Sequence, residues 1–295
     1  MNKQISTGLN KTAMIILNYN SPSDTTKLAD ELFECRPLDT ELIIVDNNSS
    51  DNSGARLSRY VSDKDNAYFV ETGYNGGYAY GNNAGIKLAL SHGCDYALIM
   101  NSDITVRAGL IEGLSDYLDH NLSAAIATPV LKSEGRPDDY GRYIRLGHIH
   151  FARAAKPKYE DELALTVDSI VGACFMVRLS AVEQVGPIPE AYFLNFEETE
   201  WCLRFSKKGY SVVCLPWMEV SHRTHGSISQ VSGLQSYFMK RNLVVFNLRM
   251  GTVGQKVILI LKIIPFSVLQ SIKHRTLLPF RAYWDGVTGR NKYQS

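Results

Sequence analysis

Cysteine is scarce in this sequence, and its few cysteines are not paired by spacing. The 295 residues contain five cysteines, an odd number, and no two of them form a C-x-x-C pair. This pattern argues against a disulfide framework or a zinc knuckle and is typical of a reducing compartment. With 45% hydrophobic residues, the chain is long and apolar enough to form a sizeable core. We therefore predict a cytoplasmic globular protein.

Long hydrophobic runs are also missing. The first eleven residues, MNKQISTGLNK, are polar and indicate no secretory signal. The longest apolar run, VILILKIIPFSVL, is interrupted by Lys262 and Pro265. A helix that crosses a bilayer needs about 20 apolar residues, so we expect this run to be too short.

Acidic residues are almost absent from the last quarter of the chain. From residue 220 onward there are eleven Lys and Arg residues against one acid, Asp285. A basic helical face paired with an acidic body, an anionic membrane surface and nucleic acid are the three partners that fit this asymmetry. The basic residues flank apolar ones, which favours peripheral attachment to an anionic membrane surface. No nucleic-acid-binding motif accompanies the charge, so we expect no nucleic-acid partner.

Short apolar runs alternate with helical patterns in the first half of the chain. The apolar runs are residues 13–17, 41–45, 67–71 and 96–100. Helices are predicted from Pro22, behind a possible cap at Ser21, and over residues 79–92. Continuous apolar runs of this length indicate buried parallel strands, and we predict a mostly parallel, doubly wound α/β sheet. Helical patterns dominate later, so we divide the chain into a catalytic domain, 1–230, and a helical basic and apolar extension, 231–295.

Polar loops follow all four predicted strands. Asn18 and Tyr19 follow the first strand, and Asp46 ends the second. The third strand precedes TGYNGGYAYGNNAG, and the fourth is followed by Asn101, Ser102 and Asp103. Ligands of open α/β sheets bind at the carboxyl ends of the strands. We therefore predict the binding site at this edge.

These loops, in this order, resemble a known family. The motifs that carry the resemblance are ILNYN, IIVDNNSSDNS, NGGYAYGNNAGI, ALIMNSD, VGACFMVR, VGPIPEAYFLNFEETEWCLR and VSHRTHGS. The chain resembles inverting family 2 glycosyltransferases with the GT-A fold over residues 13–250. It is most similar to bacterial rhamnosyltransferases of polysaccharide and O-antigen assembly.

The resemblance implies a reaction and its partners. A sugar would pass, with inversion, from a nucleotide sugar to a glycan or a polyprenyl-diphosphate-linked acceptor, with the help of Mg²⁺ or Mn²⁺. The subfamily suggests dTDP-L-rhamnose as donor. A UDP-linked hexose or galactofuranose is the alternative donor.

Several residues are candidates for nucleotide-sugar binding. A carboxylate at Asp46 can accept the imide N3–H of uracil or thymine, although an Asx turn is the alternative, which suits Asp51 better. Tyr19 could pack on the base, beside Asn18. The glycine-rich loop permits a close backbone approach to an anionic diphosphate at a helix N-terminus. Its candidates are Asn75, Gly76, Gly77 and Asn83, and the alternative is a simple turn in which Asn82 or Asn83 caps the helix.

Asp103 occupies the last position of the family's D-x-D element. The resemblance implies that it binds the metal, with His222 near the metal or diphosphate and Asn101 toward the donor. Mg²⁺ is often held by one or two carboxylates together with phosphate oxygens, so an acid at Asn101 is not required. A strand-end cap for the following helix is the alternative for Asp103. His222 matches the family better than His225, and a structural histidine is the alternative.

A cluster of glutamates falls on the family's catalytic motif. Glu198 matches the position of the catalytic aspartate and is the predicted general base, with Glu197 as the alternative. The resemblance also implies acceptor contacts for Glu197 and Trp201 and a nucleotide-sugar contact for Arg241. An acidic first turn that complements the helix dipole would explain the glutamates without catalysis.

Two other functions compete with transfer. Sugar-1-phosphate nucleotidylyltransferases have a similar sheet, but they need a Gly-rich, basic loop after the first strand, and NYNSPSD lacks it. A degenerate transferase that only binds glycans is suggested by the substitutions at Asn101 and Glu198.

Overall fold

The computed structural model describes residues 10–159, 161–223 and 233–292. Its strands are β1 (Thr12–Asn18), β2 (Thr40–Asp46), β3 (Ala67–Glu71), β4 (Tyr96–Asn101), β5 (Ile104–Thr105), β6 (Ala124–Lys132), β7 (Arg142–Ile144), β8 (Ala152–Ala154), β9 (Leu165–Val167), β10 (Cys174–Arg178) and β11 (Ser211–His222). Its helices are α1 (Pro22–Cys35), α2 (Ser53–Ser62), α3 (Tyr78–Ser91), α4 (Leu110–His120), α5 (Leu179–Val185), α6 (Glu197–Lys207), α7 (Leu234–Met250), α8 (Val253–His274) and α9 (Leu278–Thr288). The four strands and two helices predicted in the first half are confirmed to within two residues.

One large sheet organises the chain. Its strand order is β3-β2-β1-β4-β10-β6-β11-β5, and β9 also pairs with β11. The first four strands are parallel, β10 is antiparallel to both of its neighbours, and β6 is parallel to β11. The α/β class with a large sheet and C-terminal helices is confirmed. A separate hairpin, β7–β8, stands outside the sheet.

The register of the parallel strands brings the predicted loops to one edge. Asn18 of β1 is level with Asp46 of β2, and Leu17 is level with Asn101 of β4. Three of the polar loops therefore begin at the same height on neighbouring strands. From β1 the chain adds β2 and β3 on one side of the sheet and then β4 on the other side. Doubly wound sheets bind ligands at the position where the strand order changes direction in this way.

Burial on both faces explains why the strands are continuous apolar runs. In β1, Ala13 and Ile15 face one hydrophobic layer, while Met14 and Ile16 face the other. All four side chains are completely buried. Ser21 is the N-cap residue of α1 and Pro22 begins the helix, as expected. The Ser21 side chain, however, caps no helical N–H, because its hydroxyl donates to the Tyr19 carbonyl.

The C-terminal helices pack on the body through α7. Phe246 of α7 contacts Phe196 just before α6, with ring centroids 5.4 Å apart. Helix α8 buries Leu259, Ile263 and Ser267. Its 22 residues make it the one described helix long and apolar enough to cross a membrane by length and composition alone, so the expectation that this run would be too short was wrong. The predicted domain boundary at residue 230 lies outside the described residues.

Close packing of α3 on the sheet gives a stability prediction. A Cβ at Gly85 would lie 2.6 Å from Ile15 Cγ2 and 3.2 Å from Val45 Cγ2. We expect Gly85→Ala to lower the free energy of unfolding by about 1–3 kcal/mol through overpacking, measured by urea denaturation. Gly254→Ala is the control, because nothing lies within 4 Å of its Cβ, and this helical site should gain up to about 1 kcal/mol. Equal stability of the two variants would contradict the packing argument.

Candidate active site

A buried hydrogen-bond network connects the first two loops. Asn18 donates through Nδ2 to Asp46 Oδ1 at 2.6 Å, and its Oδ1 accepts from Thr25 at 2.7 Å. Asp46 also accepts from the Ser49 hydroxyl at 2.7 Å and from the Ser49 N–H at 3.0 Å. Asn18 and Asp46 are both almost fully buried. These contacts fix the position of the Asp46 carboxylate at the sheet edge.

This network bears on the roles predicted from sequence. The Asn18 side chain is fully buried and bonded at both ends, and its predicted nucleotide contact stays a prediction. Asp46 makes the turn contact that seemed to suit Asp51 better, although Asp51 also accepts the Ser53 N–H at 2.9 Å. Base recognition by Asp46 stays a prediction. Tyr19 is 38% exposed beside this corner.

A residue that the sequence analysis missed organises the glycine-rich loop. Asn47, 3% exposed, donates to Asn75 Oδ1 and to the Gly77 carbonyl, both at 3.0 Å. Asn75 Oδ1 also accepts the Gly77 N–H at 3.1 Å. Asn47 directly follows Asp46 at the end of a strand, and this position is the sequence feature that could have identified it. Asn47 thus joins the second polar loop to the third.

The glycines of this loop lie where a side chain would clash with neighbouring atoms of the protein. Gly77 has φ +90, and a Cβ there would lie 2.2 Å from the Phe193 carbonyl oxygen. A Cβ at Gly76 would meet the Tyr80 ring at 2.5 Å. Gly77 is also the N-cap of α3, without a side-chain cap bond, so the alternative in which Asn82 or Asn83 caps the helix is wrong. Diphosphate binding by this loop stays a prediction.

Asn83 points to a different partner from the one expected. Its Nδ2 donates to the Ile188 carbonyl at 2.9 Å and to Glu190 Oε1 at 2.7 Å, and its Oδ1 accepts the Ile188 N–H at 2.9 Å. These three bonds occupy the amide in holding the segment before α6. The predicted nucleotide-sugar contact of Asn83 stays a prediction.

Asp103 and His222 form a candidate metal site. Antiparallel pairing of β5 with β11 puts Ile104 opposite His222, which brings His222 Nε2 to 3.3 Å from Asp103 Oδ2. The other carboxylate oxygen of Asp103 is buried without a hydrogen-bond partner. A carboxylate with an unsatisfied oxygen beside an imidazole suits a divalent cation that completes its shell with phosphate oxygens and water.

The alternatives for this site can now be compared. Helix α4 has Gly109 as its N-cap, so the expectation that Asp103 might cap that helix is wrong. Asn101 ends β4, where its backbone N–H donates to the Ala173 carbonyl at 2.9 Å. Within the described ranges no group of three or more His, Cys, Asp or Glu side chains could bind a metal on its own. His225 lies outside the described residues.

Glu197 and Glu198 begin α6 with unsatisfied carboxylate oxygens. Oε2 of each is buried without a hydrogen-bond partner. Burial raises the pKa of Glu198 to about 7, against backbone N–H bonds and the Arg142 charge, which lower it. Burial and the neighbouring Glu198 raise the pKa of Glu197 well above its ordinary value. A carboxyl group whose pKa is near neutrality suits a general base.

Glu200, on the same helical turn, is fully paired instead. Arg249 donates to both of its oxygens, at 2.7 and 3.0 Å, and Arg204 donates to Oε1 at 2.6 and 3.0 Å. The Tyr192 hydroxyl donates to Oε2 at 2.5 Å. Burial alone would raise the pKa of Glu200, but these hydrogen bonds outweigh it and the pKa is lowered. Glu200 is therefore a structural anchor of α6.

Two predicted site residues lie elsewhere in the fold. Trp201 is completely buried, and its Nε1 donates to the Gly186 carbonyl at 2.9 Å. Arg241 is 6% exposed, and its guanidinium donates to the Arg290 carbonyl at 2.7 Å and to Asn242 at 2.6 Å. The predicted acceptor contact of Trp201 and the predicted nucleotide-sugar contact of Arg241 stay predictions.

Comparison with known proteins identifies the family. The family model of Glycosyl transferase family 2 matches residues 13–186, more than half of the chain. The chain is a family 2 glycosyltransferase. The matched region contains strands β2 to β4, all of β1 except Thr12, and the loops with Asp46 and Asp103.

Three curated relatives of this glycosyltransferase are named as hexosyl- or rhamnosyltransferases. The low-salt glycan biosynthesis hexosyltransferase Agl10 of Haloferax volcanii is 29% identical over 213 residues, 70% of this chain and 65% of that protein. The dTDP-rhamnosyl transferase RfbF of Shigella flexneri is 25% identical over 75% of this chain and 71% of its own. An N-acetylglucosaminyl-diphospho-decaprenol L-rhamnosyltransferase of Mycobacterium tuberculosis is 26% identical over 61% and 66%, respectively. The chain thus spans about two thirds of the length of these relatives.

Solved structures confirm the GT-A fold. GalNAc-T7 with UDP, GalNAc and Mn²⁺ superposes with a TM-score of 0.66 at 12% identity, over 81% of this chain and 48% of that chain. A mannosyltransferase of Pyrobaculum calidifontis, PcManGT, with GDP-Man and Mn²⁺ gives 0.60 at 13% identity, over 96% and 74%. S. aureus TarS with UDP-GlcNAc also gives 0.60, at 17% identity, over 84% and 70%.

The raised pKa of Glu198 predicts a pH-dependent stability. The unfolded chain loses this proton near pH 4.5, whereas the folded protein keeps it to about pH 7. Stability from this group is therefore complete below pH 4.5 and is lost as the pH rises to 7, by an amount of the order of 3 kcal/mol. We expect Glu198→Gln to be more stable than the wild type at pH 8, with the difference vanishing near pH 4.5.

Chemical denaturation at a series of pH values measures this difference. The control is Glu183→Gln, on the exposed side of α5, which should follow the wild type at every pH. If the free energy of unfolding of Glu198→Gln and of the wild type changed equally with pH, burial would not raise the pKa of Glu198.

Proposed function

We propose that this glycosyltransferase transfers a sugar with inversion, from dTDP-L-rhamnose to a glycan or a polyprenyl-diphosphate-linked acceptor. The observation that carries the proposal is the Glu198 carboxylate, buried with an unpaired oxygen and a pKa near neutrality, at the start of α6. The names of the relatives that resemble this chain support rhamnose as the sugar. One of those names includes a diphospho-polyprenol acceptor.

Asp46, Tyr19 and the Asn75–Gly77 loop are the proposed donor site. Asp46 uses a remaining lone pair to accept the imide N–H of the base, while its bonds to Asn18 and Ser49 fix its direction. Thymine and uracil present the same imide, so a UDP-linked sugar is the alternative donor. The first turn of α3 faces the diphosphate, because helix N-termini favour anions.

Asp103 and His222 would hold Mg²⁺ or Mn²⁺ against the diphosphate. When bound, the ion neutralises the charge that develops on the leaving nucleoside diphosphate. The unpaired oxygen of Asp103 and the 3.3 Å approach of His222 fit this role. Mn²⁺ in two GT-A neighbours supports a divalent ion.

Glu198 would act as the general base. It accepts the proton of the acceptor hydroxyl while that oxygen attacks the anomeric carbon from the face opposite the diphosphate. The new glycosidic C–O bond forms as the bond to the diphosphate oxygen breaks, so the anomeric configuration inverts. Glu197 stays protonated beside it, because burial and the Glu198 charge both raise its pKa, and it can donate a hydrogen bond to the acceptor.

Activity assays test these roles. Glu198→Gln should lower kcat for acceptor-dependent transfer by about 10²–10⁴-fold, with nucleotide affinity unchanged. Asp103→Ala should lose the response to Mn²⁺. Activity is measured with dTDP-rhamnose and UDP-sugars, nucleotide affinity by thermal shift, and Glu183→Gln is the control. A wild-type protein that binds nucleotides but turns over no nucleotide sugar would favour the glycan-binding alternative.

We further propose peripheral attachment to the inner face of the cytoplasmic membrane through α8. Its side opposite the buried residues exposes a continuous apolar strip: Val257, Ile258, Leu261, Ile264, Val268, Leu269 and Ile272. Leu261 is 67% exposed and Leu269 is 65% exposed. Lys256, Lys262 and Lys273 lie on the same helix, and an apolar helical side with flanking cations suits an anionic bilayer surface.

Charge reversal on the strip tests this attachment. The double variant Leu261→Glu with Ile264→Glu should lose sedimentation with liposomes that contain 30% phosphatidylglycerol, because two apolar contacts become two repelled charges. The control is Leu122→Glu, whose side chain is 75% exposed on the body of the protein. Equal sedimentation of the double variant and the wild type would contradict attachment through α8.

A further inference from the structure

A cavity of about 490 Å³ lies between the β7–β8 hairpin, α6 and α8. The turn of the hairpin supplies Ile144, Arg145, Leu146, Gly147 and His148 to its lining, α6 supplies Leu203, and α8 supplies Gln255 and Ile258. The backbone of this turn is fixed, since the Gly147 N–H donates to Asn247 Oδ1 of α7 at 2.6 Å. The cavity is therefore a formed feature of the fold and is separate from the Asp103 site.

The hairpin that forms the cavity is basic. Residues 140–159 contain five Lys and Arg residues and no acid. Arg142 is paired with Asp139 at 2.6 Å, and Arg153 stacks on the Tyr143 ring at 5.1 Å. Arg145 lines the cavity with no ion-pair or hydrogen-bond partner for its guanidinium among the residues that the structure describes. An exposed, unpaired guanidinium in a cavity wall is suited to bind an anion.

A second cation, outside the lining itself, contacts His148 of the cavity wall. Lys262 of α8 donates to Nδ1 of His148 at 3.2 Å. Burial, Arg145 and Lys262 all lower the pKa of His148, and acceptance at Nδ1 leaves Nε2–H as the donor of the ring. The one carboxylate in the lining, Asp168, is directed to the backbone, where its Oδ2 accepts the Ile144 N–H at 2.8 Å.

The cavity lies close to the candidate base. Arg142, whose charge acts on Glu198, is two residues before the cavity residue Ile144, a rise of about 7 Å along a strand. Leu203 is five residues after Glu198 on α6, a rise of about 7.5 Å along the helix axis. The cavity is therefore lined by the strand that carries Arg142 and by the helix that carries Glu198.

An apolar surface continues from the cavity along α8. Ile258 lines the cavity, and ten residues later, about 15 Å along the helix, Val268 lines a second cavity of about 550 Å³. Ile272, Leu277 and Phe280 also line this second, mostly apolar cavity. The exposed Leu261 and Ile264 lie between the two ends. An anion site with an apolar track leading away from it matches an amphiphile with an anionic head.

We propose that the Arg145 cavity binds the diphosphate of a polyprenyl-diphosphate-linked acceptor, with the prenyl chain along the exposed side of α8. This proposal rests on the proposed glycosyl transfer, because it names how that reaction's acceptor is positioned. Arg145 and Lys262 bind the phosphate oxygens, His148 donates through Nε2, and the first sugar extends toward Glu198.

Binding of farnesyl diphosphate tests the site without requiring activity. Saturating dTDP with Mg²⁺ is present throughout, so that the donor site is not available to the probe. We expect Arg145→Gln and Lys262→Gln each to weaken binding by about tenfold, the loss of one charge-assisted hydrogen bond. Arg153→Gln is the matched control, since it removes the same charge from the same hairpin outside the cavity lining.

Two further probes separate the possible ligands. Farnesol and inorganic diphosphate should each bind at least tenfold more weakly than farnesyl diphosphate, because each lacks one half of the proposed contacts. Inorganic diphosphate that binds as tightly as the prenyl compound would overturn the lipid assignment. Equal affinity of wild type, Arg145→Gln and Lys262→Gln would overturn the site itself.

Kinetics distinguish failure of this proposal from failure of the proposed function. Arg145→Gln should raise KM for a prenyl-diphosphate-linked sugar about tenfold and leave KM for the same sugar as a methyl glycoside unchanged. An equal change for both acceptors would overturn the proposal while the transferase function stands. Absence of wild-type transfer to either acceptor would instead refute the proposed function, and the binding experiment would then decide the cavity alone.

Discussion

The buried carboxylate of Glu200 is the interaction on which the arrangement of the site depends. It lies one turn into α6, almost inaccessible to solvent, and receives hydrogen bonds from Arg204 on the same helix and Arg249 at the end of α7. Removing one partner of a buried ion pair lowers the free energy of unfolding by about 3–5 kcal/mol. The ion pair between Glu200 and Arg249 therefore holds α6 and α7 together strongly. The helix that presents Glu198 is therefore fixed by a residue near the C-terminal end of the fold.

Three glutamates at the start of α6 have different surroundings. Glu200 is surrounded by donors and stays ionised, whereas Glu197 and Glu198 are buried with one oxygen each unsatisfied. An unpaired buried carboxylate destabilises a protein, and unsatisfied polar groups and raised pKa values concentrate where a substrate supplies the missing partner. An acidic first turn that only complemented the helix dipole would not need to be buried. The dipole explanation accounts for the acidic composition but not for this burial.

Much of the fold was predictable from the sequence because parallel strands buried on both faces leave a simple pattern. Asp46 and Asp103 were selected as candidates because each lies at or just beyond the end of such a strand. Asn18 and Asn83 were assigned to the ligand by the same logic, but their amides are satisfied by Asp46 and by the Ile188 backbone. The pattern of a single sequence does not show whether a polar side chain bonds to a ligand or to another group of the protein.

Contacts between distant segments were the part that the sequence could not provide. His222 meets Asp103 only because β5, two residues long, pairs with the end of β11. Trp201 matched the family motif but faces the core, since the helical period places it with Phe205. Both outcomes depend on tertiary packing, which overrides local propensity and motif position.

The backbone that leads into α6 shows why α7 belongs to the site. Asn195 and Phe196 both have positive φ, 65° and 79°, in a region that non-glycine residues occupy at a cost of about 1–2 kcal/mol each. Such a conformation persists only where neighbours determine it, and Asn242 of α7 donates to the carbonyls of Leu194 and Asn195 at 2.7 and 3.1 Å.

Further contacts from α7 hold the same segment. Phe246 packs on Phe196, and Phe238 stacks on Phe193 at 5.4 Å. The Phe193 carbonyl in turn meets Gly77 at the entrance of α3. One continuous set of contacts therefore runs from α7 through the α6 entry to the glycine-rich loop. Because α7 determines this strained segment, its contacts also fix the position of Glu198 at the start of α6.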